Sequence, residues 1–473
     1  MTTDAARLME RFGVTPGQLA SLVGRGLACG GDWCDLFFED TSYANLLLRD
    51  GTVSSGGCHN DYGCGIRVLD GEKTGYAYCE STDAASLTAA ADAAAGIAAR
   101  APQACAQAMR VRTAPDRYPM QQDWRETGAS RYVPLLEGLE KRIRAAEASV
   151  HKVIAMLSWQ VSDILMFNST GELTWDCRPL GSLSVSVIFL RGSRTETKNV
   201  SRSFRCGPEM LSEGLIAEVA ADVVAGIDER FAARRPKGGR MKVVMGAGAS
   251  GILLHEAMGH AFEADFNRKG QSVFADKMGR QICRKGIDIL DDGTLAGNRG
   301  ACNFDDEGVP GQKTWMVRDG ILTSYLHDRI SARWYGVEPT GNGRRESFRY
   351  HPIPRMRATY MASGTDGSLE DLIRLAGNGI YVDQFANGEV KIGEGDFTFY
   401  VKSGFLIENG RLTMPVKDIN IIGNGPQALA DIEAVAGDLR VDNGTWTCGK
   451  EQSVPVSCGI PSVLIKHLTV GGQ

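Results

Sequence analysis

Several familiar signatures are missing from this chain of 473 residues, and each absence removes a class. Its twelve cysteines include no CxxC pair and no compact framework, so a disulfide scaffold is out and reduced thiols in a cytoplasmic protein are expected. No long basic run accompanies the net charge of −5 and pI of 5.9, which disfavours nucleic acid as a direct ligand. Apolar runs are broken by charge well short of a membrane span. Residues Met1 to Glu10 lack the basic start and apolar core of a secretory signal. Glycine is the exception, at 57 residues, many following Asp or Asn. Such pairs between apolar runs predict hairpins rather than disorder.

The length predicts two or three domains, each able to bury a core without cross-links. Strands are expected over 35–40, 43–49, 66–69 and 74–78, with turns at Asp50-Gly51 and Asp70-Gly71, and an Ala-rich helix over 83–100. Pro102, Pro115 and Pro119 mark a linker. Beyond it come a helix over 132–150, strands over 153–174 and 183–191, and a helix over 210–231. Arg234-Arg235-Pro236-Lys237-Gly238-Gly239 is the clearest break. The predicted division is therefore 1–238, with a break near 101–130, and 239–473. In the second part, hairpins are expected at Asp319-Gly320 and Asn409-Gly410 and a helix over 426–435. Strand clusters with segregated helices predict an α+β fold: a strand-rich N-terminal lobe with flanking helices, and a sheet-rich C-terminal domain.

The chemistry concentrates in His255-Glu256-Ala257-Met258-Gly259-His260, opened by the apolar run Ile252-Leu253-Leu254 on a helix over 251–264. Neutral imidazoles are zinc ligands, and a carboxylate beside them is a base for a metal-activated water. The familiar zinc-protease helix spaces its histidines i and i+4; here they are i and i+5, about 140° apart on a regular helix. One ion can be shared only through a π-type turn or a helix end, and Gly259 has the backbone freedom for either. The alternative is two unrelated core histidines.

Gly246-Ala247-Gly248-Ala249-Ser250-Gly251 also fits a dinucleotide loop between strand and helix. However, the following Asp265-Phe266-Asn267-Arg268-Lys269-Gly270-Gln271 is too polar for the second buried strand such a site requires. These glycines are better read as letting backbone pass close to the metal cleft or a substrate. A catalytic zinc takes three protein ligands, so one is missing. Glu263 could ligate or hold an imidazole from behind; Cys448 and Cys458 stand in glycine-flanked turns but could equally be small core residues. Arg344 and Arg345 could clamp a carboxylate or an oxyanion, or be loop charges. His327 is a candidate proton donor or a strand-end surface residue. His59, His151, His351 and His467 have no supporting constellation.

Taken together, His255 to His260 with Glu263 to Gly270, then Gly341-Asn342-Gly343-Arg344-Arg345, then Thr447-Cys448-Gly449-Lys450 and Ser453 to Val456, resemble the ordered blocks of the TldD/PmbA metalloprotease family. The early segments 35–39, 65–69 and 74–78 match in style. The resemblance implies a cytoplasmic zinc peptidase in which His255, His260 and Cys448 bind the metal and Glu256 is the catalytic base. It implies a homodimer, or a heterodimer with a PmbA-type subunit lacking the motif. It further implies unfolded peptides as substrates, with roles in maturing a modified peptide toxin and in modulating gyrase inhibitors or antitoxins. Two rivals remain at this point: a peptide-binding or assembly subunit with a structural metal, and a dinucleotide enzyme using 246–251.

Overall fold

The computed structural model describes residues 3–102, 104–391 and 393–471. Three of its hairpins reverse at Asx-Gly turns whose two residues are both left-handed. Asp50 and Gly51 have φ of 48° and 74°, Asp319 and Gly320 49° and 79°, Asn409 and Gly410 51° and 71°. Positive φ at both positions is the type I′ requirement, and it matches the twist of the flanking strands.

In the N-terminal part, one mainly antiparallel sheet runs in the order Lys73–Cys79, Thr52–Asp70, Trp33–Arg49, Val150–Asn168, Glu172–Arg191, the last flanked by Arg194–Phe204 and, in parallel, by the short Arg110–Val111. The order is symmetrical about the central pair, in which Asp40 faces Asp163. Each half is a helix, a three-stranded meander and a helix: Pro16–Leu27 to Ala84–Ala95, then Val133–Ala146 to Glu213–Val224. The helices cover one face in two apolar clusters, one around Phe12, Leu19, Phe38 and Leu87, the other around Trp124, Leu139, Trp159 and Val219. Segment 101–130 joins the halves, which share the sheet. Residues 52–60, outside the expected strands, are exposed and carry paired Ser and Gly, and pair with 42–49 all the same.

The C-terminal part holds two larger sheets and two two-stranded ones. Strands Gly379–Val390, Gly239–Met245, Val463–Gly471, Ile419–Asn424 and Asp396–Glu408 pair in that sequence, and the last pairs again with the first, closing a five-stranded barrel. The second sheet runs 321–322, Lys313–Arg318, Ile289–Asp292, Ala358–Met361, Ser457–Ile460, Arg440–Asp442. The expected helix over 426–435 is shorter: it spans Gly425–Ala430, and Ile432–Val435 is a strand that adds to Val463–Gly471. Likewise the helix expected over 210–231 is interrupted at Gly226, whose φ of 68° cannot continue it.

The two parts meet through the sheet face that the helices leave bare. Phe37, Ile164 and Met166 pack on Phe304 and Phe348, inside a ring of buried charge. Arg67, fully buried, pairs with Asp35 at 2.6 Å and Glu307 at 2.7 Å. Arg178 pairs with Asp176 at 2.8 Å and Asp306 at 2.5 Å. Tyr76 donates to the Phe348 carbonyl, and Glu39 accepts from the Phe348 N–H. Among the described residues no helix is long and apolar enough to cross a membrane.

Candidate metal centre

Strand 239–245 delivers the chain through the glycine loop into the helical segment that carries both histidines, and this segment lies between the two C-terminal sheets. Gly251 begins it against Gly459 of strand 457–460; a Cβ there would stand 2.6 Å from the Gly459 nitrogen. Gly251 therefore serves backbone-to-backbone packing, Gly246 lies against the Tyr381 side chain, and Gly248 takes a left-handed φ of 89°. Among the described residues, strand 239–245 finds its parallel partner only at 379–390, so the glycine loop opens no compact βαβ unit of the dinucleotide kind.

The i, i+5 problem is solved within the helix. Residues Gly251–Leu254 are α-helical, His255–Gly259 form a π turn in which the His260 N–H bonds to the His255 carbonyl, and His260–Phe262 tighten to 3-10. An i→i+5 bond stacks residues five apart, which is what the histidine spacing needs. Gly259 itself has ordinary helical angles, φ −59° and ψ −48°. Its missing side chain is required for a different reason, since a Cβ would fall 2.2 Å from the Met356 sulfur.

Cys448 arrives from the hairpin of strands Thr447–Lys450 and Gln452–Pro455, which reverses at Glu451 with φ 58°. The fully buried Arg355 grips this hairpin, donating to the carbonyls of Cys448 at 2.6 Å and Gln452 at 2.8 Å. The ligand atoms of His255, His260 and Cys448 then all lie within 4.8 Å of one another. The Cys448 sulfur is 3.3 Å from Nε2 of His260, and the two rings stand edge to face at 5.2 Å. All three residues are buried, whereas Glu256 is half-buried.

Electrostatics around the trio are unusual for an interior. Burial would raise the Cys448 thiol, but the adjoining His255 and His260 outweigh it and hold it down to about 4. Burial would likewise discharge His260, yet Glu263 and Cys448 carry it up to about 10. Glu263 sits behind His260, with Oε2 3.0 Å from Nδ1, and does not join the trio. Burial raises its carboxyl, but Lys450 and His260 bring it down to about 2. Lys450 itself donates to Glu263 at 3.0 Å and to Asp265 at 2.8 Å. Sequence reasoning missed Lys450, whose only signal was its place two residues after Cys448. Nδ1 of His255, buried, meets no partner among the described residues.

The remaining candidates lie elsewhere. Arg344 is buried and donates to the carbonyls of Met356 and Pro455. Arg345 is buried on the Phe37 ring and bonds Asp35, the Asp306 carbonyl and Tyr76. His327 is not a surface residue: it is buried against Tyr325 and Tyr335, and burial keeps it neutral with its titration lowered to about 4. Cys458 is core, with burial pushing its thiol well up.

With this geometry in place, the relatives are informative. A family model described as the PmbA/TldA metallopeptidase C-terminal domain matches residues 238–472, and one for domain 1 matches 34–98. A metalloprotease TldD homologue of Haemophilus influenzae is 38% identical over 449 residues, 93% of each chain. The chain belongs to the TldD/PmbA metallopeptidase family. A metalloprotease of Methanothermobacter thermautotrophicus is 29% identical over 93% of this chain and 96% of its own. Among solved structures, a putative modulator of a DNA gyrase from Thermotoga maritima superposes with a TM-score of 0.78 at 21% identity, covering 98% of this chain and all of its own. TldE from Thermococcus kodakarensis gives 0.76 at 18% over 96% of this chain and all of its own. These two likenesses establish the mixed α+β fold that the TldD/PmbA chain shares.

Proposed function

We propose that the chain is a zinc-dependent peptidase of the HExxxH type that hydrolyses unfolded or extended peptides. The observation that carries this is the convergence of His255, His260 and Cys448 within 4.8 Å from segments almost two hundred residues apart. The donor set fits zinc: two imidazole nitrogens and one thiol already drawn toward thiolate suit a borderline-soft ion that favours three protein ligands in catalytic sites. A buried His255 nitrogen without a partner also fits a site shaped for a ligand. The relative from Saccharolobus solfataricus, 33% identical over 62% of this chain and 65% of its own, is named a zinc metalloprotease TldD homologue.

When bound, the ion supplies Lewis acidity, acidifying water and polarising a carbonyl. Glu256, on the same turn and half-open to solvent, takes the proton from the attacking water and returns it to the leaving amine. Glu263 fixes the ring orientation and proton position of His260, and Lys450 keeps that carboxylate charged. The peptide binds extended along exposed strand edges through main-chain hydrogen bonds, giving low sequence specificity. The working assembly is a dimer, with a second copy or with a PmbA-type subunit, in the cytoplasm.

Glu256→Ala is the direct test. It should keep stoichiometric zinc by elemental analysis and lose roughly 10²- to 10⁴-fold in hydrolysis of an unstructured peptide. Unchanged hydrolysis by the zinc-loaded variant would remove Glu256 as the base.

A further inference from the structure

Between the bare face of the N-terminal sheet and segment 301–357 lies a cavity of about 60 Å³ whose wall carries five arginines: Arg178, Arg205, Arg344, Arg345 and Arg357. Two are compensated, Arg178 by Asp176 and Asp306, and Arg345 by Asp35. The other three are only 4–7% exposed and, among the described residues, pair with no carboxylate within 4.0 Å. Arg344 donates to two carbonyls, as described. Arg205 donates Nε to the Arg299 carbonyl and Nη1 to that of Pro179. Arg357 donates only its Nε, to the Gly341 carbonyl at 2.6 Å. Both terminal nitrogens of Arg357, and Nη2 of Arg205, meet no acceptor among the described residues.

Nearby acids offset this charge only in part: Asp306 is bonded to Arg178, and Asp291 and Asp305, both held up by burial, act on Arg357 through space without bonding to its guanidinium. Asp291 accepts from the Arg357 backbone, Thr359 and Asn342. Asp305 accepts from the backbone of Glu307, Val309 and Gly343. Glu39, also on the wall, is raised to about 7 by burial. A lysine or histidine in such a place would shed its proton, but a guanidinium cannot. Guanidinium nitrogens that face an enclosed cavity with no bonded acceptor, and that cannot shed their charge, mark a place for an anion from outside the chain.

We propose that this cavity is a binding site for a small oxyanion, carboxylate or phosphate, held bidentately by the free fork of Arg357 with Arg205 and Arg344 beside it. The planar fork matches two oxygens of either group. This site is separate from the metal trio and does not depend on the peptidase reading.

Thermal unfolding of the full-length, metal-loaded protein tests it, with inorganic phosphate and succinate compared against chloride at equal ionic strength. At least one oxyanion should give a saturable rise in midpoint of roughly 2 °C or more. A rise with phosphate alone assigns a phosphate site; a rise with succinate assigns a carboxylate site. Arg357→Met should abolish the rise, and Arg205→Met should shift half-saturation to at least about tenfold higher concentration. If Arg357→Met does not fold, the Arg205→Met titration decides. No rise beyond chloride with either anion, or an equal rise in a folded variant, would overturn the proposal.

Discussion

Lys450 is held by two carboxylates and the Pro354 carbonyl, and through Glu263 it reaches the imidazole of His260. Removing its charge leaves Glu263 buried with a weaker set of partners and frees the His260 ring to turn. Lys450→Met should therefore weaken zinc binding by about 10- to 100-fold in a chelator competition, as loss of a supporting partner does elsewhere. Cys448→Ala, which deletes a donor, should lose most of the metal; full retention would move the third ligand elsewhere. At this scale the sequence was informative about identity and weak on distance. His255, Glu256 and His260 stand out because they fall within six residues. Cys448 looked like any glycine-flanked cysteine until the hairpin grip of Arg355 placed it, and only the resemblance singled it out. Arg355 carries no local pattern and Lys450 only its place after Cys448, since their contacts reach across 93 and 187 residues.

The π turn is the element on which the trio depends, and two glycines seat it. Gly251 abuts backbone that cannot yield, whereas Gly259 abuts a flexible methionine. Gly251→Ala should accordingly destabilise the protein by about 3 kcal/mol or more in denaturant unfolding, with zinc occupancy reduced. Gly259→Ala should cost about 1–3 kcal/mol, and adding Met356→Ala should recover part of that loss. Non-additivity of this pair is the decisive measurement; strictly additive losses would mean that the two residues do not collide. The histidine spacing alone foretold a distorted turn, because a regular helix cannot bring residues five apart together. It could not say why Gly259 is glycine, since the reason, Met356, lies in the loop between strands 353–354 and 358–361, nearly a hundred residues later.

For the whole molecule, the charged contact between the N-terminal sheet and segment 301–357 governs response to mutation and pH. Arg67→Met strands Asp35 and Glu307, both buried, and should cost about 3–5 kcal/mol. Glu39 acts in the opposite sense. Burial, reinforced by Asp306 and opposed by Arg178 and its hydrogen bonds to Thr41 and Phe348, lifts its carboxyl to about 7. The folded chain thus holds a proton there that the unfolded chain releases near pH 4. Stability from this group is fully present below about pH 4 and is lost as pH rises toward 7, a few kcal/mol at most. Glu39→Gln should flatten that limb of the stability–pH curve, and an unchanged slope would show that another group produces it. The α+β class and most hairpins were legible because Asx-Gly turns and apolar runs are local. Barrel closure, the mirrored order of the first sheet and its charged seam were not, because they arise from pairing between distant strands of similar composition.

Strand 239–245 enters the barrel flanked by 379–390 and 463–471, so both neighbours emerge from the ribosome well over a hundred residues after it. The histidines it leads to are thus synthesised long before the sulfur that meets them, 188 residues beyond His260. A nascent chain therefore cannot bring His255, His260 and Cys448 together until its C-terminal hairpin has been made.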